Sequence, residues 1–398
     1  MPLVWVIVHF IAAGLLAALV NHLGLRAWRR AEAAHWTERA RLLWPVRYTA
    51  GINLFMLPGF LVALHVSWDL QPTPELIAEG VAGLLGSLLG CYPMEREIFP
   101  GYNFAGWSRQ VVAGGGLRFG GLLAFFAALI FMPARVGWGV ALVAAGYLIF
   151  HGLIQWGLFR QLLRLARMLK PAGPRLQEIV ADGAARMGVR VRSTWELGGM
   201  TANALALPVT RELIFTERLL AICNDEEVAA ICTHELAHLT ESKAVLAGRL
   251  LRSFSFFPLI FVNPAVQYWG LPGLLVLYAA MLLILAATRR LPQAMEKRAD
   301  AAAVREQTNE GVYARALEKL YQANQTPAVS GRNKHAAHPH LYDRMTAAGV
   351  TPDYPRPARP RKLTGAGWAL VFGWAALLVA SWVLAIVFAL RGANPDGP

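Results

Sequence analysis

The chain has 398 residues, of which 56% are hydrophobic and only 16% are charged. Soluble domains carry about 45–50% apolar and about 25% charged residues, so this composition excludes an ordinary soluble protein and indicates a polytopic membrane protein. The net charge of +13 does not indicate a nucleic-acid partner, because the basic residues lie between apolar runs and not in one patch.

Apolar runs along the chain predict membrane spans, each of which takes about 17–25 helical residues. The runs lie at 2–23, 49–68, 75–92, 119–133, 137–158, 270–288 and 364–390. A further run at 254–268 is short and is interrupted by Pro258 and Pro264. We therefore predict about seven to eight spans, in three groups: about five in an N-terminal bundle over 1–158, an apolar hairpin or two spans over 251–288, and a C-terminal helix within 364–398.

The loops between these runs differ in charge. Basic residues are concentrated after the first, third and fifth spans and before the last one, whereas the loop 69–74 has none. The positive-inside rule places basic loops in the cytosol, so we predict that the polar segments 159–250 and 289–363 both lie on the cytosolic side. The excess of arginine over lysine, together with much alanine, indicates a bacterial protein and therefore the inner (plasma) membrane.

The two polar segments are predicted to contain helices and a small β-sheet. A helix at 174–188 is followed by β-like runs at 189–195, 203–207 and 211–216. The next helix begins at Asn224, because Asn224 and Glu227 have the spacing of a capping box. In the second polar segment we predict helices at 293–306 and 309–324.

The helix that begins at Asn224 carries the sequence His-Glu-Leu-Ala-His at 234–238. Histidines four residues apart lie on one face of a helix, so the imidazoles of His234 and His238 can bind one ion. Neutral imidazole suits Zn²⁺, and Glu235 beside the pair can act as a general base. A match of this kind arises by chance in a chain of this length about one time in a hundred. We therefore predict one zinc ion per chain.

A catalytic zinc site needs a third protein ligand and an open position for water. Glu296 and Asp300 lie one turn apart on the helix predicted at 293–306. We predict that Glu296 is the third ligand and that Asp300 accepts the spare N–H of a ligand histidine. An acidic pair at this spacing is also common on a solvated helix face, so the pair alone does not decide the matter.

The motifs together resemble those of the integral-membrane gluzincin peptidases, which include the HtpX-type proteases and the type I CAAX prenyl proteases. The resemblance is carried by His234–His238, Glu296 with Asp300, Asn203–Ala206 followed by Leu213–Thr216, and His338-Pro339 with Arg344 six residues after the histidine. It covers about residues 174–348. The apolar region before the motif matches neither subgroup clearly, and the extra C-terminal span matches neither, so the resemblance is to the family as a whole.

This resemblance implies a mainly α fold, with polytopic transmembrane helices and a cytosolic-side gluzincin zinc-peptidase domain that contains a small β-sheet. It implies that His234, His238 and Glu296 bind zinc and that Glu235 is the general base. The remaining implied roles are Asp300 beside a ligand histidine, Asn203, Ala204, Leu205 and Ala206 pairing with the substrate backbone, His338 donating to the developing oxyanion, and Arg344 supporting that pocket.

The leading hypothesis is a membrane-embedded zinc endopeptidase that cleaves membrane-associated proteins or peptides at the cytosolic face, by attack of an activated water on the peptide bond. Its partners are a peptide or membrane-protein substrate and the lipid bilayer, with no nucleic acid, and the oligomeric state stays open. The alternative is a non-proteolytic zinc-binding membrane sensor or scaffold, but a structural zinc site does not need Glu235. A transporter is disfavoured, because the clear spans hold almost no charged residues apart from Asp69.

Overall fold

The structure, a computed structural model, describes residues 2–65, 74–330 and 339–392. The helices are α1 (Pro2–Gly24), α2 (Arg26–Arg30), α3 (Trp36–His65), α4 (Pro74–Gly90), α5 (Tyr92–Ile98), α6 (Phe104–Phe131), α7 (Trp138–Gln155), α8 (Leu158–Leu165), α9 (Pro174–Met187), α10 (Glu217–Ile222), α11 (Asp225–Leu239), α12 (Lys243–Ser253), α13 (Val262–Thr288), α14 (Leu291–Glu306), α15 (Val312–Ala323), α16 (Leu341–Ala347) and α17 (Gly365–Gly392). A 3₁₀ helix covers Phe257–Phe261, and the strands are β1 (Leu169–Pro171), β2 (Ser193–Leu197), β3 (Ala204–Leu207) and β4 (Glu212–Thr216). The predicted mainly helical fold with a small sheet is confirmed.

The chain forms two compact units, and each is assembled from separate parts of the sequence. Unit 1 consists of Met1–Phe104, Gln325–Gly331 and Arg356–Pro398. Unit 2 consists of Ala105–Asn324 and Arg332–Pro355. Unit 2 therefore contains the His-Glu-Leu-Ala-His helix and every predicted site residue that the structure describes.

In unit 1, α1 and α4 pack closely because small residues line their contact. A Cβ added at Gly86 would collide with the carbonyl oxygen of Phe10, and one at Gly90 would collide with that of Gly14. Gly86 and Gly90 are four residues apart, which is the spacing of small residues that lets membrane helices approach each other. The long helix α3 packs against both α1 and α4.

A buried carboxylate lies within this helix pair. Glu79, on α4, is 2% exposed, and its Oε2 lies 3.6 Å from Nδ1 of His9 on α1. Nδ1 of His9 is also 2.7 Å from the carbonyl oxygen of Trp5. The expectation that the clear spans hold almost no charge is therefore wrong at Glu79, where a partner on the neighbouring helix makes burial of an acidic group tolerable.

Four helical stretches among the described residues are long and apolar enough to cross a membrane: Leu3–Arg30, Trp36–Ala63, Pro74–Ile98 and the stretch within Lys243–Glu306. A fifth is present if Trp138–Ile154 and Leu158–Leu165, which meet at 62°, form one bent span. The apolar helices Gly120–Phe131 and Gly365–Leu377 are shorter. The chain is thus an integral membrane protein, but the predicted count of seven to eight spans is not confirmed.

The apolar segment that follows the motif helix turns at Gly270. The turn interrupts α13 with φ 59° and ψ −142°, a conformation that glycine adopts because it has no Cβ. Beyond the turn the chain packs against itself, since a Cβ at Gly273 would lie 2.6 Å from the carbonyl oxygen of Ala265. The arrangement of 251–288, an apolar hairpin or two spans, stays a prediction.

Unit 2 contains a four-stranded sheet with the strand order β1-β2-β4-β3. β2 and β4 are parallel, and β1 and β3 run antiparallel to their neighbours. The sequence did not predict β1, because three residues are too few for an alternating pattern. The predicted strand at 189–195 is wrong in its first half. There Gly188 (φ 62°) and the N–H of Val189, which bonds to the Ala184 carbonyl, form the C-cap of α9.

The core of unit 2 lies between this sheet and the helices α9, α11 and α15. Its fully buried members include Leu213 and Phe215 on the central strand β4 and Leu236 on α11. β3 forms one edge of the sheet and packs against α11. This packing fixes the open edge of β3 beside the helix that carries the motif.

Candidate metal centre

The helix α11 holds the motif on a rigid and buried support. The predicted capping box is confirmed, because the Asn224 side chain accepts from the Glu227 N–H at 2.9 Å and the Glu227 carboxylate accepts from the Asn224 N–H at 3.0 Å. Asp225 and Glu226 add negative charge to the first turn, where the helix dipole favours it. Almost every residue from Glu227 to the end of the helix is buried, so the motif side chains have little room to move.

His234, His238 and Glu296 converge on one point. Their ligand atoms lie within 4.8 Å of one another, and all three residues are buried. Oε2 of Glu296 is 3.6 Å from Nε2 of His234, and Oε1 is 3.6 Å from Nε2 of His238. The two elements that meet here are α11 and α14, which pack along each other.

These three side chains fit a zinc ion. In a tetrahedral site with metal–ligand bonds of about 2.0–2.2 Å, the ligand atoms are roughly 3.3–3.6 Å apart. Each carboxylate oxygen of Glu296 is 3.6 Å from one imidazole nitrogen, Oε2 from that of His234 and Oε1 from that of His238. Two imidazoles and one carboxylate leave a fourth position open, as catalytic zinc sites require.

The other ring nitrogen of His234 faces Asp300 and Tyr313. Nδ1 lies 3.1 Å from Oδ1 of Asp300 and 2.8 Å from Oη of Tyr313. When Nδ1 carries the proton and donates it to these acceptors, Nε2 keeps its lone pair for a metal. Asp300 is therefore within reach of the spare N–H of His234, and its role beside a metal ligand stays a prediction.

Asp300 is itself held by Arg344 and Tyr313. Arg344 donates to both carboxylate oxygens, at 2.9 Å from Nε and 2.6 Å from Nη2, and Tyr313 donates to Oδ1 at 2.6 Å. Burial raises the pKa of Tyr313 well above its usual value, so the hydroxyl keeps its proton. The structure thus places Arg344 on Asp300, behind His234, and its support of an oxyanion pocket stays a prediction.

His238 has a carboxylate partner of its own, which the sequence analysis missed. Its Nδ1 lies 2.8 Å from Oε1 of Glu241, and Arg249 donates to Oε2 of Glu241 at 3.2 Å. Burial by itself would lower the pKa of His238, but the hydrogen bond to Glu241 and the charges of Glu235, Glu296 and Glu241 outweigh burial and raise the pKa. The surroundings of His238 therefore favour positive charge, which a bound metal cation would supply.

Glu235 follows His234 on α11 and is buried. Successive residues of a helix are turned by about 100°, so its carboxylate stands beside the two ligand histidines and not between them. Its negative charge acts on His238. Glu235 is therefore close to the candidate ligands, and its role as a general base stays a prediction.

Arg298 fastens the helix of the third ligand to the end of α11. Its Nη2 donates to the carbonyl oxygen of Ala237 at 2.7 Å and also to the hydroxyl of Thr240. The Ala237 carbonyl also accepts from the N–H of Thr240 at 3.1 Å and from its hydroxyl at 2.8 Å, so Arg298 adds a third donor at the end of α11. The contact fixes α14, and with it Glu296, relative to the two histidines.

The four residues predicted to pair with substrate lie on the edge strand of the sheet. Ala204, Leu205 and Ala206 belong to β3, and Asn203 directly precedes it. β4 pairs with one side of β3, and within the described residues no strand pairs with the other side. Asn203 and Leu205 are exposed, whereas the small side chains of Ala204 and Ala206 are buried.

One predicted site residue, His338, lies outside the described residues, so its role as an oxyanion donor stays a prediction. Of the contacts that the sequence analysis missed, the one from Glu241 had a local signal, because Glu241 lies only three positions after His238, just beyond the end of α11. Tyr313 and Arg298 had none, since their contacts depend on how separate helices pack.

Comparison with known proteins agrees with this geometry. Residues 172–350 match the model of peptidase family M48. The search of curated proteins finds no match to the chain. The matched segment begins just after β1, ends just beyond α16 and contains the three candidate ligands with Glu235 and Asp300. The match of segment 172–350 to this family, which contains the HtpX-type and CAAX proteases, indicates that the chain is a metallopeptidase.

Proposed function

We propose that this metallopeptidase is a zinc-dependent endopeptidase that cleaves extended segments of membrane-associated proteins at the cytosolic face of a bacterial inner membrane. One observation carries the proposal. His234 and His238 converge with Glu296 while Glu235 stands beside them, and the edge strand β3 packs against the same helix. A metal site, a base and a surface that can pair with a peptide backbone are thereby brought together.

The residues of this site divide the chemistry of peptide hydrolysis among them. A zinc ion held by His234, His238 and Glu296 would supply a Lewis acid that polarises the scissile carbonyl and lowers the pKa of water. Glu235 takes a proton from the attacking water and delivers it to the nitrogen of the leaving amine as the C–N bond breaks. Asp300 and Glu241 accept the Nδ1 protons of the two histidines, which keeps each Nε2 directed at the metal. His338, by the family resemblance, donates to the developing oxyanion.

The backbone of β3 supports substrate capture as an added strand. The Thr216 N–H donates to the Asn203 carbonyl at 2.9 Å, and the Asn203 N–H donates to the Thr216 hydroxyl at 2.8 Å, so both backbone groups of Asn203 face β4. This direction alternates from residue to residue along a strand, so Leu205 also directs its backbone groups to β4, whereas Ala204 and Ala206 direct theirs to the open edge. An extended peptide can therefore form hydrogen bonds with both backbone groups of Ala204 and of Ala206.

The distribution of charge supports the cytosolic face. Arg160, Arg164 and Arg167 follow the apolar helix α7 directly and lead into the peptidase domain. A second basic run, at 356–362, separates the same domain from α17. Basic residues next to the ends of spans remain on the cytosolic side.

The proposal is tested by comparing membrane proteomes of cells that express the wild type or Glu235→Gln, scored for new peptide termini. Glu235→Gln removes the base and leaves the three ligands, so we expect zinc content to stay the same and turnover to fall by about 10²–10⁴. Zinc is measured on both purified proteins by mass spectrometry. Termini found only with the wild type would also give the class of substrate and the side of cleavage.

Glu226→Gln is the matched control, because Glu226 is an exposed carboxylate on the first turn of the same helix and bonds to Asn309. It should leave the termini unchanged. Termini that appear equally with Glu235→Gln would contradict the role of Glu235. The absence of new termini in all three strains, with zinc bound in each, would contradict cleavage by the chain itself.

A further inference from the structure

Asn324 forms the contacts of a neighbouring strand at one end of β3. It is the C-cap residue of α15 and is half-buried. Its Oδ1 accepts from the N–H of Ala202 at 2.8 Å, and its Nδ2 donates to the carbonyl oxygen of Ala202 at 2.8 Å. One side-chain amide thus satisfies both backbone groups of one residue, as the backbone of an adjacent strand would do.

The contact matters for substrate binding because of where Ala202 lies relative to β3. Ala202 lies two residues before Ala204 and four before Ala206, so its backbone groups point to the same open edge. Ala204 and Ala206 are the positions at which the proposed substrate pairs with β3. The amide of Asn324 therefore occupies the position at which the next residue of a bound substrate strand would pair with Ala202.

We propose that Asn324 is a positioning residue that blocks one end of the open edge of β3. A bound peptide then pairs with Ala204 and Ala206 and cannot extend its pairing to Ala202. This inference rests on the proposed peptidase function and adds a limit on the paired length of the substrate. Residues of the substrate beyond this limit leave the sheet and add no backbone hydrogen bonds.

The same helix links this limit to the metal centre. Tyr313, near the start of α15, contacts His234 and Asp300, and Asn324 ends the helix. Eleven residues of helix span about 16 Å. The helix therefore sets a fixed separation between the contact of Tyr313 with His234 and the contact of Asn324 with Ala202. The number of substrate residues between the cleaved bond and the limit is therefore determined by a rigid element.

The test uses purified full-length protein and a set of peptides that share one cleaved core and are lengthened by two or four residues at either end. In the wild type, KM should stop falling once the peptide covers Ala204 and Ala206. In Asn324→Ala, lengthening at one end only should lower KM by about tenfold, the effect of two further hydrogen bonds, while kcat changes little. The φ of −87° at Asn324 is open to alanine, so the variant should fold.

Asn309→Ala is the control, because Asn309 is exposed and its side-chain amide donates to the carboxylate of Glu226. It should show the same length dependence as the wild type. Asn324→Asp keeps an acceptor for the Ala202 N–H but loses the donor, and it provides a second variant if Asn324→Ala is unstable.

The outcomes separate this inference from the proposed function. Wild-type cleavage with an unchanged dependence of KM on length in both Asn324 variants would overturn the inference, even if their thermal stability fell, since a merely structural role predicts that result. Cleavage of no peptide by the wild type, with zinc bound, would instead contradict the proposed function, and the inference would fall with it.

Discussion

Each candidate ligand histidine has its own carboxylate partner, but the two carboxylates are held in different ways. The partner of His238 is Glu241, three residues further along the chain. Glu241 forms one ion pair, with the partly exposed Arg249. The partner of His234 is Asp300, which receives hydrogen bonds from the buried Arg344 and Tyr313. The second arrangement joins separate helices, so the orientation of His234 depends on the folding of the whole domain.

This difference predicts the effect of Tyr313→Phe. The change removes the hydroxyl that contacts Nδ1 of His234 at 2.8 Å and Asp300 at 2.6 Å, while the ring keeps its packing. Loss of an orienting partner of a metal ligand typically lowers metal affinity by about 10–100-fold. We expect this loss in a competition titration between the purified variant and a chromophoric zinc chelator.

Two further variants provide the controls for that titration. Tyr354→Phe removes another tyrosine hydroxyl of unit 2, which bonds to Sδ of Met345 at 3.6 Å, and it should bind zinc as the wild type does. Glu296→Ala removes a candidate ligand and should lose zinc altogether. Wild-type affinity in Tyr313→Phe would show that the hydroxyl does not orient His234, and full zinc content in Glu296→Ala would mean that another carboxylate is the third ligand.

At the scale of single residues, the sequence predicts those placements that follow from the spacing of residues along one helix. His234, Glu235 and His238 are placed by the period of one helix, and Glu296 and Asp300 by the period of another. The meeting of these two helices is a tertiary contact, which only the family resemblance indicated beforehand. Tyr313 and Asn324 were missed because neither has a local pattern that points to its partner.

At the scale of elements, β3 shows how an edge strand remains available for binding. Its side chains alternate between buried alanines and exposed neighbours, and β4 covers only one of its two backbone edges. Sequence alternation predicted the strand at 203–207 but not its place in the sheet, because strand order depends on the crossover between β2 and β4. Missing β1 and misplacing the start of β2 have local causes, namely a three-residue strand and a helix C-cap.

Pairing with β3 predicts a period of two in the effect of backbone changes in the substrate. A peptide substrate is N-methylated at one position at a time, which removes one N–H. Loss of a bond to Ala204 or Ala206 should raise KM by about 2–10-fold at alternate positions, because only every second residue of the peptide faces β3. The intervening positions of the same scan are the control. Equal effects at adjacent positions would contradict binding as an added strand.

At the scale of the whole molecule, composition was sufficient to predict a membrane protein, but hydropathy did not define the compact units. Unit 1 combines the N-terminal helices with a helix more than 300 residues away, as the 2.8 Å bond from Nε1 of Trp374 to the Met56 carbonyl shows. Apolar runs in a sequence do not show which helices pack against each other. They also mark bent segments as spans, which is why the segment 251–288 was left as either an apolar hairpin or two spans.

The orientation of the chain is the prediction that belongs to this scale. Single cysteines at Asn309, in the peptidase domain, and at Ala134, in the loop 134–136, should react from opposite sides of the membrane. Both positions are exposed, and the native Cys91, Cys223 and Cys232 are buried. We expect a membrane-impermeant maleimide to label Ala134→Cys in spheroplasts and Asn309→Cys only in inverted vesicles. Labelling of Asn309→Cys in spheroplasts would place the metal centre outside the cytosol, and the search for its substrates would move to that side of the membrane.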